Sequence, residues 1–486
     1  MSTRKTTPKH LQVIELFAGV GGFRVGLDRS TSELGGQGFE TIWANQWEPG
    51  SAKQHAARVY RQIFFHANGV TADETVKEYF VNDDINEVVG NPLSLAKIPD
   101  HDVLTGGFPC QDYSVARPAN QAAGIEGKKG VLWWSIHKIL AHKQKVGRPV
   151  NYVFLENVDR LLKSPTARRG RDFAIILTCL NNLGYYVEWR VINAGEYGFP
   201  QRRRRTFILG YHKDSPVGKQ LARGRDAEKW LNEAGLFAKA FPVSGDEKIL
   251  GSFELDPDPV AITKNFKPLK QKGDIDPTSP FQNGGVMMNG HVYTRKFRAA
   301  FTGERVTLGD IINATKTADI PDEFYVLPSE VRRWKLQKEA HDFMRTSKSG
   351  HEYRYTEGAL PFPDKIDVPS RTIITSEGGR TPTRFKHVVK LKHPRTIDGK
   401  VCEYRRLTPE ELEALCMFDR GHTETMCGMN GASEEPAPAT KRAFFMGNAL
   451  VVGVIQRIGM FLAIAHHSAQ PTATNTTKMK AKAMVR

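Results

Sequence analysis

The stretch "TGGFPCQDYSVARP", Thr105 to Pro118, carries a single cysteine, Cys110, directly after a proline. A cysteine so placed fills a core, ligates a metal or attacks as a thiolate. "FLENV" sets Glu156 and Asn157 at the end of the apolar run "VNYVFL". Polar residues are unusual in a strand buried on both faces, so Glu156 either caps the next element or faces the same crevice as Cys110. "QRRRR", Gln201 to Arg205, runs into "TFILGY". Alternation along a strand gives Gln201, Arg203 and Arg205 one face, suited to phosphates and base oxygens. The competing reading is a solvated basic cluster.

A second group of residues suits a small ligand. "LFAGVGG", Leu16 to Gly22, is a glycine turn after an apolar run, which lets backbone approach a bound molecule. Arg24 stands where the third glycine of a dinucleotide fingerprint would fall. "WANQWEP" puts Gln46 where an acid commonly binds ribose hydroxyls, with Glu48 two residues on. Trp47 offers a flat face to an adenine ring. Asp84 and Ile85 in "NDDIN" offer an acceptor for its amino group and an apolar contact. The five cysteines form no CxxC pair and are odd in number, which argues against a disulfide framework or a metal site.

These residues need a frame. From Leu11 to Tyr211 strand-like runs ("LQVIELFAG", "FETIWA", "HDVLTGG", "VNYVFLENV", "GYYVEWRVINA", "RTFILGY") alternate with helical patterns such as "SAKQHAARVYRQIF" and "VLWWSIHKILAHKQ". The alternation predicts a doubly wound α/β domain with a mainly parallel sheet, its ligands beyond the carboxyl ends of the strands. Residues 11–212 form its first part. Residues 213–400, rich in Gly, Pro, Lys and Arg, read as a second, smaller, irregular β-rich lobe, with "YTRKFRAAF" and "EGGRTPTRFKH" as candidate nucleic-acid contacts. In residues 401–465, "TPEELEALCMF" carries a capping box from Thr408 to Glu411, and "ALVVGVIQRIGMFLAIAHH" reads as a helix returning to the first lobe. Residues 466–486 read as a disordered tail.

The chain has 486 residues and a formal net charge of +16. The length suits at least two lobes. The charge favours a polyanionic partner. No apolar run approaches the roughly 20 residues of a membrane helix, and the N-terminus shows no apolar signal region. The expectation is a cytoplasmic protein with no metal and no membrane.

In order, "LFAGVGG", "GGFPCQDYS", "FLENV", "QRRRR" and "FMGNALVV" resemble the motif series of the DNA cytosine-5 methyltransferases of bacterial restriction–modification systems. The resemblance spans Leu11–Tyr211 and Glu403–Ala463 and leaves most of Lys213–Lys400 uncovered, where that family holds its target-recognition domain. It implies methyl transfer from S-adenosylmethionine to C5 of a flipped-out cytosine in double-stranded DNA. Cys110 would be the nucleophile, Glu156 the contact to N3 and the exocyclic amine, and Arg205, with Arg203, the group holding the base. Donor contacts would be Phe17, Ala18, Gly19, Gly21, Gln46, Trp47, Asp84, Ile85, Pro109, Leu132, Asn448 and Leu450. DNA contacts would be Gln111, Ser114, Lys128, Lys129, Gln201 and Arg203, with "SVARPANQAAGIEGKKG" as a closing loop. The chain would act as a monomer, beside a cognate restriction endonuclease that is not a stable subunit. Two departures stand out: Gln46 replaces the family's ribose acid, and Tyr113 the common Phe. The rival readings are an RNA (tRNA) cytosine-5 methyltransferase of the same fold and an inactive DNA-binding regulator.

Overall fold

The computed structural model describes residues 10–108, 132–165, 168–224, 226–244, 251–269, 278–316, 319–346, 352–429 and 433–468. Seven strands of the first lobe, β1 (Leu11–Leu16), β2 (Phe39–Asn45), β3 (Phe80–Val81), β4 (Val103–Gly107), β5 (Tyr152–Val158), β6 (Tyr185–Asn193) and β7 (Arg204–His212), lie in the order β3-β2-β1-β4-β5-β7-β6. The first five run parallel. β7 is antiparallel to both neighbours, so its first residues lie at the sheet edge where β5 ends.

Alternation divides the strand residues between two cores. Val13, Tyr152 and Phe154 join Phe23 and Leu27 of α1 (Gly22–Glu33) and Ile455, Ile458 and Leu462 of the helix Val452–Ser468. Ile14, Val153 and Leu155 join Trp133, Ile136 and Ile139 of the helix Trp133–Lys145 on the opposite face. Both faces are covered, which is why these strands read as continuous apolar runs. The helix Val452–Ser468 packs on α1 through small residues: a Cβ on Gly26 would fall 2.6 Å from the Ile455 Cβ. It runs to Ser468, so residues 466–468 are helix rather than the start of a tail. Among the described residues no single helix is long and apolar enough to cross a membrane.

The sheet does not stop at residue 212. β8 (Val243–Ser244) pairs with β12 (Arg298–Ala299), while β9 (Gly251–Glu254), β10 (Gly284–Met288) and β11 (His291–Arg295) continue the main sheet beyond β6. The β10–β11 turn is Asn289–Gly290, both with positive φ, the two-residue hairpin turn that the dipeptide favours. The first sheet therefore takes in strands from the segment assigned to a second lobe. In "YTRKFRAAF" the expectation fails for Arg295, which is buried, paired to Glu228 at 2.5 Å and bonded to Asn232 at 3.1 Å, while Lys296 and Arg298 are exposed.

The remaining strands form small sheets. β13 (Tyr325–Val326), β16 (Val389–Ile397) and β17 (Lys400–Arg405) make one; among the described residues β14 (His341–Thr346) and β15 (Glu352–Glu357) pair only with each other. "EGGRTPTRFKH" divides in the same way, with Arg380 and Phe385 exposed. Glu377, Arg384, Lys386 and His387 are buried, and the Lys386 ammonium donates to the carbonyls of Gly379 and Thr381. The hairpin of β18 (Thr425–Cys427) and β19 (Glu434–Pro436) packs on α2 (His55–Phe64), where Arg58 donates to the Cys427 carbonyl and pairs with Glu435. The capping box at Thr408 and Glu411 is formed.

Candidate active site

Glu156 and Arg205 meet because β5 and β7 are antiparallel neighbours. The register sets Val158 opposite Arg205, so the late residues of one strand face the early residues of the other. Arg205 Nε lies 2.9 Å from Glu156 Oε1, and the two side chains are 18% and 14% exposed. The pair is thus open to a ligand at the sheet edge. On the other side of β5, Gly107 stands opposite Glu156. A Cβ there would fall 3.2 Å from Glu156 Oε2, so the glycine keeps space beside the carboxylate.

Asn157 is buried, and its Nδ2 donates to the Phe108 carbonyl at 2.9 Å. Phe108 is the last residue before Pro109 and Cys110 in the sequence. Asn157 therefore ties the end of β4 to the strand that carries Glu156. Pro109, Cys110, Gln111, Ser114, Lys128 and Lys129 lie outside the described residues, as does Tyr113.

The arginine tract divides in a way that alternation alone does not show. Gln201 and Arg203 are 0% and 2% exposed. Gln201 accepts from the Ile373 N–H at 3.1 Å and donates to the Leu415 carbonyl and Cys416 Sγ. Arg203 donates to the carbonyls of Gly447, at 2.9 Å, and Ile373, at 3.4 Å. Burial pushes its pKa down to about 10, with the nearby Arg205 charge adding to the effect. The expectation that Gln201 and Arg203 meet phosphates is corrected: both are covered by chain from far along the sequence and bonded to it. Gly447 itself approaches residues 374 and 375 so closely that a Cβ would lie 2.4 Å from the Thr375 nitrogen.

The second set of residues follows β1, β2 and β3, three adjacent strands, at the same edge. Phe17, Gly19 and Gly21 all have positive φ, a run of left-handed backbone that turns the chain into α1. The turn is fixed from below and from the side. Buried Glu15 accepts from the N–H groups of Phe23 and Arg24 and from the Tyr60 hydroxyl at 3.0 Å. Burial pushes its pKa up to about 7. Gln46 Oε1 accepts from the Gly19 N–H at 2.7 Å. Glu48 is engaged elsewhere, accepting the Ala56 N–H at the start of α2. Asp84 caps the helix Ile85–Gly90 through the Asn86 N–H, and Asn86 accepts from Ser135. Ile85 is buried in the second core. Trp47 is 38% exposed. Leu132 is half-buried ahead of the helix Trp133–Lys145, Leu450 packs against Gly22, and Asn448 is exposed.

These positions suit a ligand with a ribose and an aromatic base. Gln46 Nε2 has no acceptor among the described residues, Trp47 presents a free ring, and Gly21 brings backbone to the helix start. No group of three or more His, Cys, Asp or Glu among the described residues could hold a metal. A separate groove of about 390 Å³ lies against β9, lined by Phe253, Ile262 and Phe266, and holds none of the residues above. Sequence reasoning assigned no role to Glu15, Gly107 or Asn157. Their signals were an acid inside an apolar strand, a glycine pair at a strand end and an amide beside Glu156.

Comparison with known proteins gives the family of the chain. The model of the C-5 cytosine-specific DNA methylases matches residues 11–462. The Type II methyltransferase M.Sau3AI of Staphylococcus aureus is 39% identical over 451 residues, 92% of this chain and 94% of the relative. M.HhaI of Haemophilus parahaemolyticus is 29% identical over 204 residues, 42% of this chain and 50% of the relative. Among solved structures, the S. pombe Dnmt2 methyltransferase aligns with a TM-score of 0.49 and 14% identity, over 95% of this chain and all of that one.

Proposed function

The chain belongs to the C-5 cytosine-specific DNA methylases, and from that premise we propose how its residues methylate DNA. The base is flipped out of the duplex, because a stacked cytosine hides the ring face under attack. Cys110 adds as a thiolate to C6, breaking the aromaticity and making C5 enamine-like. Glu156 faces N3 and the exocyclic amine, where charge develops during addition, and Arg205 holds both Glu156 and the base oxygen. After methyl transfer a base removes the C5 proton, the electrons return to the ring and the Cys110 thiolate leaves.

Phe17–Gly21, Gln46, Trp47, Asp84, Leu132, Asn448 and Leu450 would hold S-adenosylmethionine, which would supply an electrophilic methyl group. Of the chain's own groups, Gln46 and Glu15 set the turn, Trp47 stacks on the adenine, and Asn157 steadies the approach to Cys110. Arg203 and Gln201 act as positioning residues that hold the start of β7. We further read the chain as a cytoplasmic monomer that protects duplex DNA from a separate cognate endonuclease.

The observation that carries this reading is the open Arg205–Glu156 pair beside the strand leading to Cys110. The test is bisulfite sequencing of plasmid DNA from cells expressing the protein, followed by incubation of purified protein with the matching duplex bearing 5-fluorocytosine. Methylation at one sequence and a denaturation-resistant adduct are expected, since fluorine does not leave as a proton does. Methylation without an adduct would refute the covalent step.

A further inference from the structure

We propose that the β14–β15 ribbon lies in the major groove and reads base pairs there; this rests on the DNA methylation of the preceding section. Among the described residues the ribbon joins no other sheet. Its described side chains are almost all exposed, Phe343 at 43% and Met344 at 59%. An isolated two-stranded ribbon is marginal in water and gains little by standing out from the body. Two strands of six residues reach about 20 Å, and a two-stranded ribbon fits the roughly 12 Å width of the major groove.

Its base is held from both legs. The buried Arg384 guanidinium donates to the Glu339 carbonyl on one leg and the Gly358 carbonyl on the other, and pairs with Glu357 at 2.7 Å. The Leu360 N–H donates to the Lys338 carbonyl at 2.8 Å. The same segment reaches the candidate active site: Ser370 bonds to Pro200 and Arg202, and Ile373 to Gln201. A ligand gripped by the ribbon is thereby placed relative to Arg205 and Glu156.

Along the ribbon, Asp342, Met344, Arg354 and Thr356 share one face by register. Arg354 forms two parallel bonds to Asp342, at 2.8 and 2.6 Å. An ion pair this exposed adds little to stability. Its effect is to fix a guanidinium fork, the group that pairs with guanine, beside an apolar Met suited to a thymine methyl. Charge selects the partner. Residues 325–405 hold 17 Lys and Arg against 10 Asp and Glu, 7 of the chain's net +16. Arg332, Arg333 and Lys335 stand exposed on the helix that enters the ribbon, and Lys390 and Lys392 on β16, cations that suit phosphates.

The test uses the full chain, labelled methyl donor, the duplex identified by bisulfite sequencing and a panel with single base-pair changes. Met344→Ala and Arg354→Ala should each lower kcat/KM on the cognate duplex by about tenfold to a hundredfold. They should lower it much less on one or two altered duplexes, with the donor KM and the melting temperature unchanged. Lys392→Ala should weaken every duplex alike and reduce the salt dependence. Ribbon variants that keep the wild-type ratios across the panel, whether fully active or uniformly impaired, would overturn the assignment. That includes a ribbon serving a protein partner instead. Wild-type protein that methylates no duplex would refute the underlying activity and not the ribbon alone.

Discussion

The side-chain carbonyl of Gln46 accepts the Gly19 N–H at 2.7 Å, joining the end of β2 to the left-handed turn after β1. The bond commits one end of the amide to the protein and leaves Nε2 for a ligand hydroxyl. A carboxylate at this position would offer a charged acceptor; Gln46 offers a neutral donor. Gln46→Ala is expected to weaken donor binding about tenfold, measured by calorimetric titration, through loss of both roles. Glu48→Ala should leave that affinity unchanged and cost about 1 kcal/mol of stability, because its carboxylate caps α2.

Cys110→Ser is expected to abolish methyl transfer while duplex binding survives, checked by single-turnover methylation and by gel shift. Turnover retained in the variant would remove Cys110 from the nucleophile role.

Arg205→Ala should lower kcat by about 10²-fold or more, since it frees Glu156 and removes the group held 2.9 Å away. Arg203→Ala acts differently. It strips donors from the Gly447 and Ile373 carbonyls inside the protein, so the melting temperature should fall together with activity.

Glu15 gives a pH dependence of stability. Burial raises its pKa from 4.5 to about 7 in the folded protein, so the fold favours the protonated form. Its contribution is complete below about pH 4.5 and is lost as pH rises through about 7, at most about 3 kcal/mol. Glu15→Gln carries no charge to bury. From pH 5 to pH 8 the variant's melting temperature should therefore gain on that of the wild type; a constant gap would contradict the assignment.

His387 joins the two halves of the structure. Its ring nitrogens lie 3.0 Å from Glu377 Oε1 and 3.0 Å from Ser370 Oγ, and all three residues are buried. Ser370 in turn bonds to Pro200 and Arg202. His387→Ala takes the ring away from the buried Glu377 carboxylate, which keeps the backbone N–H of residue 387, a loss of about 1–3 kcal/mol. A lower melting temperature and a lower kcat with unchanged donor KM are expected.

The parallel strands, the turn after β1, the Thr408 cap and the strand-end positions of Glu156 and Arg205 were legible in the sequence; the antiparallel pairing of β5 with β7 that joins the two was not. Each legible feature depends on short-range pattern: alternation, glycines at strand ends, a capping box, and polar residues that interrupt apolar runs. Alternation also put Gln201, Arg203 and Arg205 on one face, but said nothing of what covers that face. Residues 370–375, 415–416 and 447 bury the first two and leave Arg205 open. The basic stretches were ambiguous for the same reason. Arg295 and Lys386 look like phosphate contacts by composition, yet spend their donors on internal acceptors. The ribbon's polar and aromatic mixture carries no signal of its exposure, which only the fold shows. Sequence thus determined which residues have the chemistry and which strands carry them. Only the tertiary structure decided which charges face a ligand, because desolvation and partner choice depend on segments up to 244 residues away.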